Sequence, residues 1–300
     1  MVTSTISDIR HQAVLDLTNS GIAQNEASIE ANILVECVFG LSKKDLLINP
    51  EQEMPENLVN KFRHLVQKRI NEKIPVQYLV NKAFFMGYEF YVDENVLIPR
   101  PETEILVEEV LKLINAGKKK NLSIIDVGTG SGCIACMLAK TLYNKCHPEF
   151  ISGSDNYKII ASDISKKALA VAKFNAEILG LLDKIEFKYS DILSNIDETF
   201  DFIVSNPPYI PLKDRENLQI EVSKYEPHLA LFTDDEKGIS FYKELIRQSG
   251  KKLKPDGYLA VEIGIYQSQY ISELLQQAGF VDIEIIKDFN NIDRIIIARK

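Results

Sequence analysis

From Ile6 to about Gln77 the apolar positions recur every three or four residues: Ile6, Ile9, Ala13 and Leu17 form one stripe, Ile29, Ile33, Leu34 and Val38 a second, and Leu58, Phe62, Leu65 and Ile70 a third. That spacing gathers side chains on one face of a helix, so the segment predicts a small all-helical domain. Pro75 interrupts it. Ala83 to Val92 then alternates around Gly87 and predicts a hairpin, with Phe84, Tyr88, Phe90 and Val92 available to one face or the other. A residue before proline is pushed out of the helical region, so Val96-Leu97-Ile98-Pro99-Arg100-Pro101 reads as an extended connector. Glu102 to Leu113 resumes a helix.

Beyond Lys118-Lys119-Lys120, which reads as a solvated loop, strand and helix patterns alternate. Strands are predicted at Ser123 to Val127, Lys158 to Ser162, Lys184 to Tyr189, Phe200 to Ser205, Tyr258 to Ile263, Val281 to Lys287 and Arg294 to Ala298. Helices are predicted at Cys133 to Leu142, Ser165 to Leu179, Lys237 to Leu253 and Gln267 to Ala278. Such alternation requires an α/β fold with helices on both faces of a mostly parallel sheet of seven strands, the last two forming an antiparallel hairpin at its edge. The expected division is residues 1–80 helical, 81–101 hairpin and linker, and 102–300 α/β. Asn144 to Tyr157 has Pro, Gly and Ser with little periodicity and reads as a surface insertion away from the chemistry. No repeat of solenoid period is present.

Composition narrows the function classes. Lys and Arg number 35 against 43 Asp and Glu, a formal net charge of -8, which argues against non-specific affinity for a nucleic-acid backbone. No apolar run reaches the roughly 18 residues of a membrane span, and the start Met1-Val2-Thr3-Ser4 lacks the basic and apolar regions of a signal peptide. A cytoplasmic location is expected, without membrane attachment. Cys37, Cys133, Cys136 and Cys146 are too sparse for a disulfide framework. Cys133 and Cys136 have helical spacing without a second pair or a neighbouring histidine, so packing is expected there and no metal site.

The candidate chemistry lies at strand ends. Asn206-Pro207-Pro208-Tyr209 follows the strand Phe200 to Ser205 directly. Each proline fixes φ and removes a backbone N–H, leaving the Asn206 side-chain oxygen and the Pro207 carbonyl as acceptors with few competing donors. Two fixed acceptors suit a planar –NH2 group; an Asn-Pro turn is the plain structural alternative. Upstream, Asp126-Val127-Gly128-Thr129-Gly130-Ser131-Gly132 ends the first strand and opens a helix, allowing close backbone approach to a ligand. A dinucleotide fingerprint wants its third glycine at position 133, where Cys133 stands, and Gly132 comes one residue early, which disfavours a nicotinamide dehydrogenase. Asp163, after the second strand, suits the two hydroxyls of a ribose or serves as a helix cap. Asp191, after the third, suits an adenine amino group or is a turn carboxylate.

A glycine loop, two acids and Asn-Pro-Pro-Tyr at one end of a parallel sheet place an adenosine moiety over the first three and a nitrogen nucleophile at the fourth. Methyl transfer from S-adenosylmethionine needs that layout. The residues also resemble the peptide-chain-release-factor glutamine N5-methyltransferases, through Pro75-Val76-Gln77-Tyr78, Val96 to Glu104, Asp126 to Gly132, Asn206 to Tyr209, Tyr225-Glu226-Pro227 and Glu262-Ile263-Gly264. The resemblance implies a Rossmann-like methyltransferase domain and a helical N-terminal domain that helps dock a class 1 release factor. It further implies methylation of the glutamine in that factor's Gly-Gly-Gln loop, with S-adenosyl-L-homocysteine as the other product, and no stable nucleic-acid binding.

On this reading Asn206, Pro207 and Tyr209 are catalytic, the same residues with Pro208 and Arg100 bind substrate, and Gly128, Thr129, Gly130, Ser131, Gly132, Asp163, Asp191, Ile192 and Asn206 bind cofactor. The Tyr209 ring is expected on the substrate amide. Ile192 stands where relatives often carry an aromatic residue, so stacking on adenine becomes apolar contact. Glu102, Glu104, Glu226 and Glu262 shape the pocket or form ion pairs, and His228 is a plain loop histidine. The rival activity is an amino-methyltransferase acting on an exocyclic nitrogen of DNA or RNA, which the acidic balance disfavours. A non-catalytic cofactor-binding module is disfavoured by the intact Asn206 and Tyr209.

Overall fold

In the computed structural model, residues 5–117, 121–144 and 156–300 are described; Lys118-Lys119-Lys120 and most of the expected insertion lie outside them. The chain forms two compact units, Met1–Lys82 with Gln219–Tyr225, and Ala83–Leu218 with Glu226–Lys300.

The first unit is built of α1 (Ile6–Asn19), α2 (Gln24–Phe39), α3 (Lys43–Ile48), α4 (Glu56–Glu72) and α5 (Val76–Val80). Local chemistry sets their ends. Thr5 caps α1 by accepting from the Asp8 amide at 3.2 Å. Gly40 closes α2 in the left-handed conformation, and Ser42 with Asp45 forms a capping box on α3. The apolar stripes meet in one core containing Ile6, Leu17, Leu34 and Phe62. Arg69 of α4 is buried and grips Glu30 of α2 with two guanidinium nitrogens, each 2.9 Å from a carboxylate oxygen. Its third nitrogen donates at 2.7 Å to Glu221, which ties Gln219–Tyr225 into this unit.

The second unit opens with a hairpin, β1 (Ala83–Phe85) and β2 (Tyr88–Phe90). Met86 and Gly87 have φ of 49° and 77°, the left-handed pair that a tight hairpin turn requires. Phe85 and Phe90 enter the core while Phe84 and Tyr88 are exposed. Next come α6 (Pro101–Gly117), β3 (Asn121–Val127), α7 (Cys133–Asn144), β4 (Asn156–Asp163), α8 (Lys166–Ile178), β5 (Ile185–Tyr189) and β6 (Phe200–Ser205). The short elements β7 (Ile210–Pro211), α9 (Ile220–Tyr225), α10 (His228–Leu231) and β8 (Phe232–Thr233) follow, α9 belonging to the helical unit. The chain ends with α11 (Ser240–Lys252), β9 (Leu253–Glu262), α12 (Ser268–Gln277), β10 (Val281–Lys287) and β11 (Asp293–Arg299).

Seven strands form one sheet in the order β10-β11-β9-β6-β3-β4-β5. Pairings from β9 through β5 are parallel, and β11 runs antiparallel to both β9 and β10. Alternate residues feed opposite faces: Ile124, Ile159 and Val204 join one core, Ile125, Ile160 and Ile203 the other. After β3 the chain winds outward to β5, then returns to place β6 on the other side of β3. Strand order reverses there, which opens a crevice at the carboxyl ends of β3 and β6.

Several element boundaries differ from the sequence reading by a few residues, and two of these bear on expectations above. Asn144 completes α7 and Asn156 begins β4, so both ends of the segment expected as an insertion belong to regular elements. Strand β9 starts at Leu253, where the pattern reads as the end of a helix, because its pairing with β6 shifts register between Phe200 and Phe202. Asp256 takes a φ of 60° in that irregular stretch, and a Cβ on Gly257 would approach the Phe200 carbonyl to 3.1 Å. A bulge there carries the strand past residues that look like a turn.

Candidate functional site

A cavity of about 430 Å³ lies at this crevice. The tight turn after β3 forms its floor, with Gly128, Thr129, Gly130 and Ser131 all lining it. Asp126 holds the turn from beneath: its Oδ2 accepts from Thr129 Oγ1 at 2.6 Å and from the Ala135 amide at 3.2 Å. Complete burial pushes the Asp126 carboxyl up to about 7 against the opposing pull of those hydrogen bonds. Gly132 lies elsewhere. With φ at 83°, its missing Cβ would sit 3.0 Å from Ala172 Cβ, so this glycine lets the turn pack on α8. It is one of the expected cofactor residues and does not line the cavity.

Asp163 lines the cavity at the end of β4. Its Oδ2 accepts from the Gly130 amide at 3.0 Å and its Oδ1 from the Ser165 amide at 2.8 Å. Ser165, not Asp163, caps α8 through its side chain. Each Asp163 oxygen retains acceptor capacity, and desolvation raises its pKa from the ordinary aspartate value against the pull of its backbone hydrogen bonds. Asp191 and Ile192 line the wall after β5. Ile192 takes a φ of 53°, a left-handed conformation that costs a β-branched residue about 1–3 kcal/mol and clusters at ligand sites.

Asn206 and Pro208 line the cavity from the end of β6, whereas Pro207 and Tyr209 are not among its lining residues. Asn206 Nδ2 donates to Thr103 Oγ1 at 3.0 Å, and Thr103 Oγ1 donates to Glu262 Oε2 at 2.6 Å. The Asn206 Oδ1 is buried with no hydrogen-bond partner among the described residues, a cost of about 1–3 kcal/mol unless a donor reaches it. The Tyr209 hydroxyl reaches Glu262 Oε1 at 3.2 Å, and burial beside that carboxylate raises its pKa well above 10. Through this contact Tyr209 braces the end of the loop. Glu262 is itself buried, and desolvation lifts it to about 7 while Thr103, Arg294 and Tyr209 pull it down.

Arg100 lines the same cavity and is held by the buried Glu226, which also accepts from the Ile98 amide at 3.3 Å. Of the other acids weighed from the sequence, Glu104 accepts from the Met86 amide of the hairpin at 2.6 Å. Cys133 and Cys136 are buried in α7, and burial raises the Cys133 thiol to about 12. Sequence reasoning missed Thr103, although it lies between Glu102 and Glu104, and missed the backing of the loop. Gln267 Nε2 donates to the Tyr209 carbonyl at 2.9 Å and its Oε1 accepts from the Gly264 amide at 2.9 Å. It also missed Phe232, Thr233 and Phe241, which line the cavity from segments without a motif.

Comparison with known proteins bears on this geometry. Residues 8–80 match the family described as PrmC N-terminal domain, and residues 118–284 match that described as Methyltransferase domain. The release factor glutamine methyltransferase of Clostridium acetobutylicum is 37% identical over 97% of this chain and 96% of its own. That of Flavobacterium psychrophilum is 38% identical over 88% of either chain. Among solved structures, the hMettl16 catalytic domain in complex with MAT2A 3′UTR hairpin 6 matches with a TM-score of 0.52 at 17% identity over 81% of each chain, a likeness of fold. Among the described residues, no helix is long and apolar enough to cross a membrane.

Proposed function

The chain belongs to the release factor glutamine methyltransferase family, and from that premise we propose that it methylates the side-chain amide nitrogen of the glutamine in the Gly-Gly-Gln motif of class 1 release factors. The observation that carries the reading is the Asn206 Oδ1, buried and unpartnered at a cavity wall. An amide –NH2 entering the cavity supplies the missing donor.

The residues present fit S-adenosylmethionine. Gly128, Gly130 and the Asp163 carboxylate form a polar cradle for a ribose, Asp191 adds an acceptor for the adenine amino group, and Ile192 adds an apolar contact for its ring. When bound, the cofactor supplies an electrophilic methyl on a sulfonium. S-adenosyl-L-homocysteine is the expected product.

A glutamine nitrogen is a weak nucleophile because its lone pair is delocalised into the carbonyl. Asn206 Oδ1 accepts one N–H and the carbonyl of Pro207, between the lining residues Asn206 and Pro208, accepts the other as the substrate enters the loop, which fixes the nitrogen's orientation and stabilises the positive charge that grows on it. Orientation lowers the barrier further by removing rotational freedom before reaction. The two prolines keep the acceptors rigid, and Tyr209 anchors the loop end through Glu262. No general base is required, since the methylated nitrogen becomes strongly acidic as its charge develops and releases its proton to solvent. Arg100, set by Glu226, flanks the entering peptide.

The helical unit is proposed to dock the release factor, with the protein working in the cytosol where translation factors act. Incubation with labelled S-adenosylmethionine and either a class 1 release factor or nucleic acid tests the assignment. Label on the release factor supports it; label on nucleic acid alone contradicts it.

A further inference from the structure

The orientation of the Asn206 amide is decided by a group that never touches the cavity. An amide has two faces, an acceptor oxygen and a donor –NH2, and its hydrogen-bond partners choose between them. Asn206 turns Nδ2 toward Thr103 Oγ1 at 3.0 Å, and Thr103 turns its hydroxyl proton toward Glu262 Oε2 at 2.6 Å. An ionised carboxylate is acceptor-only. Thr103 has one proton; once it is given to Glu262, the hydroxyl can only accept from Asn206, and the amide oxygen is left on the side away from Thr103, buried and without a partner among the described residues. We infer that ionised Glu262, acting through Thr103, is the positioning device that presents Asn206 Oδ1 to the substrate amide, and that protonation of Glu262 reverses the chain and disables it. This rests on the assignment of Asn206 as the substrate's acceptor.

The reversal balances without loss of any hydrogen bond. A neutral Glu262 donates its new O–H to Thr103 Oγ1. The Thr103 proton then points at Asn206, whose amide flips to accept it through Oδ1. The –NH2 that now faces the cavity opposes the substrate's own –NH2, donor against donor, and the acceptor site is lost. The Asn206–Thr103 and Thr103–Glu262 hydrogen bonds are kept in both arrangements, so the direction of the chain is governed by one proton.

The surroundings of Glu262 set where that proton binds. Glu102 at the start of α6 opposes ionisation, whereas Arg294 of β11 and the Thr103 and Tyr209 hydroxyls favour it. Tyr242 of α11 is spent on the Glu262 backbone carbonyl at 2.7 Å, and the Cys133 thiol of α7 is neutral. Burial offsets the favourable partners and leaves the carboxyl near neutrality, at about 7. That balance suits a group whose charge is used and not merely buried.

Three measurements test it. The first is kcat against pH for the full-length protein with saturating S-adenosylmethionine and release factor. Wild type should show an acid limb, with turnover falling about tenfold per pH unit below the midpoint; Glu262→Gln, which cannot titrate there, should lose the limb. Thr103→Val should also lose it and turn over about a hundredfold slower at pH 8, with cofactor affinity by calorimetry within about twofold of wild type, and Thr103→Ser should recover most of the turnover. The second is the pH dependence of the Asn206 side-chain amide resonances in labelled protein without substrate. They should titrate in wild type and stay constant in Glu262→Gln. The third is Asn206→Ala, which separates the two claims. If Asn206→Ala is inactive while Thr103→Val matches wild type, or if wild-type kcat has no acid limb, the relay is wrong and the acceptor role stands. Should Asn206→Ala turn over normally, the acceptor role itself fails. If Thr103→Val does not fold, the wild-type resonances and Thr103→Ser still decide: static resonances overturn the proposal.

Discussion

A Cβ placed on Gly238 would lie 2.1 Å from the Tyr209 carbonyl oxygen. The loop that carries Asn206 is thus seated on a backbone position with no room for a side chain, and Gln267 clamps the same carbonyl at 2.9 Å. Gly238 also holds a φ of 70°, so alanine there meets both a clash and a strained backbone. Gly238→Ala should push the loop outward and lower kcat about a hundredfold, the usual cost of a misplacement near 1 Å. Cofactor affinity should be nearly unchanged, because the Gly128 to Gly130 turn and Asp163 are untouched. Steady-state kinetics with calorimetry checks this; equal losses in kcat and cofactor binding would show that the loop does not act separately.

Asp163 accepts from two backbone amides and still faces the cavity. Asp163→Ala should weaken S-adenosylmethionine binding about ten- to a hundredfold, as expected for loss of charge-assisted hydrogen bonds. Unchanged affinity by calorimetry would mean that the carboxylate only tethers Gly130 and Ser165.

Removing Arg69 leaves Glu30 buried without its partner. Arg69→Met should cost the helical unit about 3–5 kcal/mol in urea unfolding. It should also release Gln219–Tyr225, which Arg69 holds through Glu221, into faster amide exchange. An unchanged exchange pattern there would show that the ion pair is not what retains the segment.

Stability and activity are expected to diverge with pH. Asp126 and Glu262 both sit near 7 in the folded protein, above their ordinary values of 3.8 and 4.5. The native state therefore binds more protons than the unfolded chain between roughly pH 4 and 7. Their contribution is fully present below the unfolded values and is lost as pH rises through about 7, with a slope of at most about 1.4 kcal/mol per pH unit for each group. Urea titrations from pH 5 to 8 should show that decline, and Asp126→Asn should flatten it. A rise in stability over the same range, unaltered by the substitution, would contradict the assigned shifts.

How far the sequence carries depends on whether cause and effect lie close along the chain. The hairpin at Met86-Gly87, the turn after β3 and the strand ending at Ser205 were legible because local spacing and turn chemistry produce them. Asn206 was legible because two prolines isolate its acceptors. Its partners were not: Thr103 and Glu262 meet it only when α6 and β9 are brought to the end of β6, and a hydroxyl between two glutamates looks like a surface residue. Gly132 reads as a ligand contact in any glycine-rich turn, and only the position of Ala172 shows that its space is taken by a helix. Strand β9 was misread at Leu253 because a bulge accommodates Pro255-Asp256-Gly257, residues that mark a turn in the absence of a paired strand. The cavity wall at Phe232 and Phe241 comes from segments whose apolar residues have no distinctive spacing.

On the proposed mechanism Asn206 presents its oxygen to a release-factor glutamine for methylation. The direct measurement is peptide mass spectrometry of a class 1 release factor after incubation with S-adenosylmethionine and either wild-type protein or Asn206→Ala. Wild type should add one methyl to the glutamine side chain of the Gly-Gly-Gln peptide, and Asn206→Ala should do so at least about a hundredfold more slowly while binding the cofactor with unchanged affinity. A methyl group on another residue, or equal rates from the two proteins, would contradict the account.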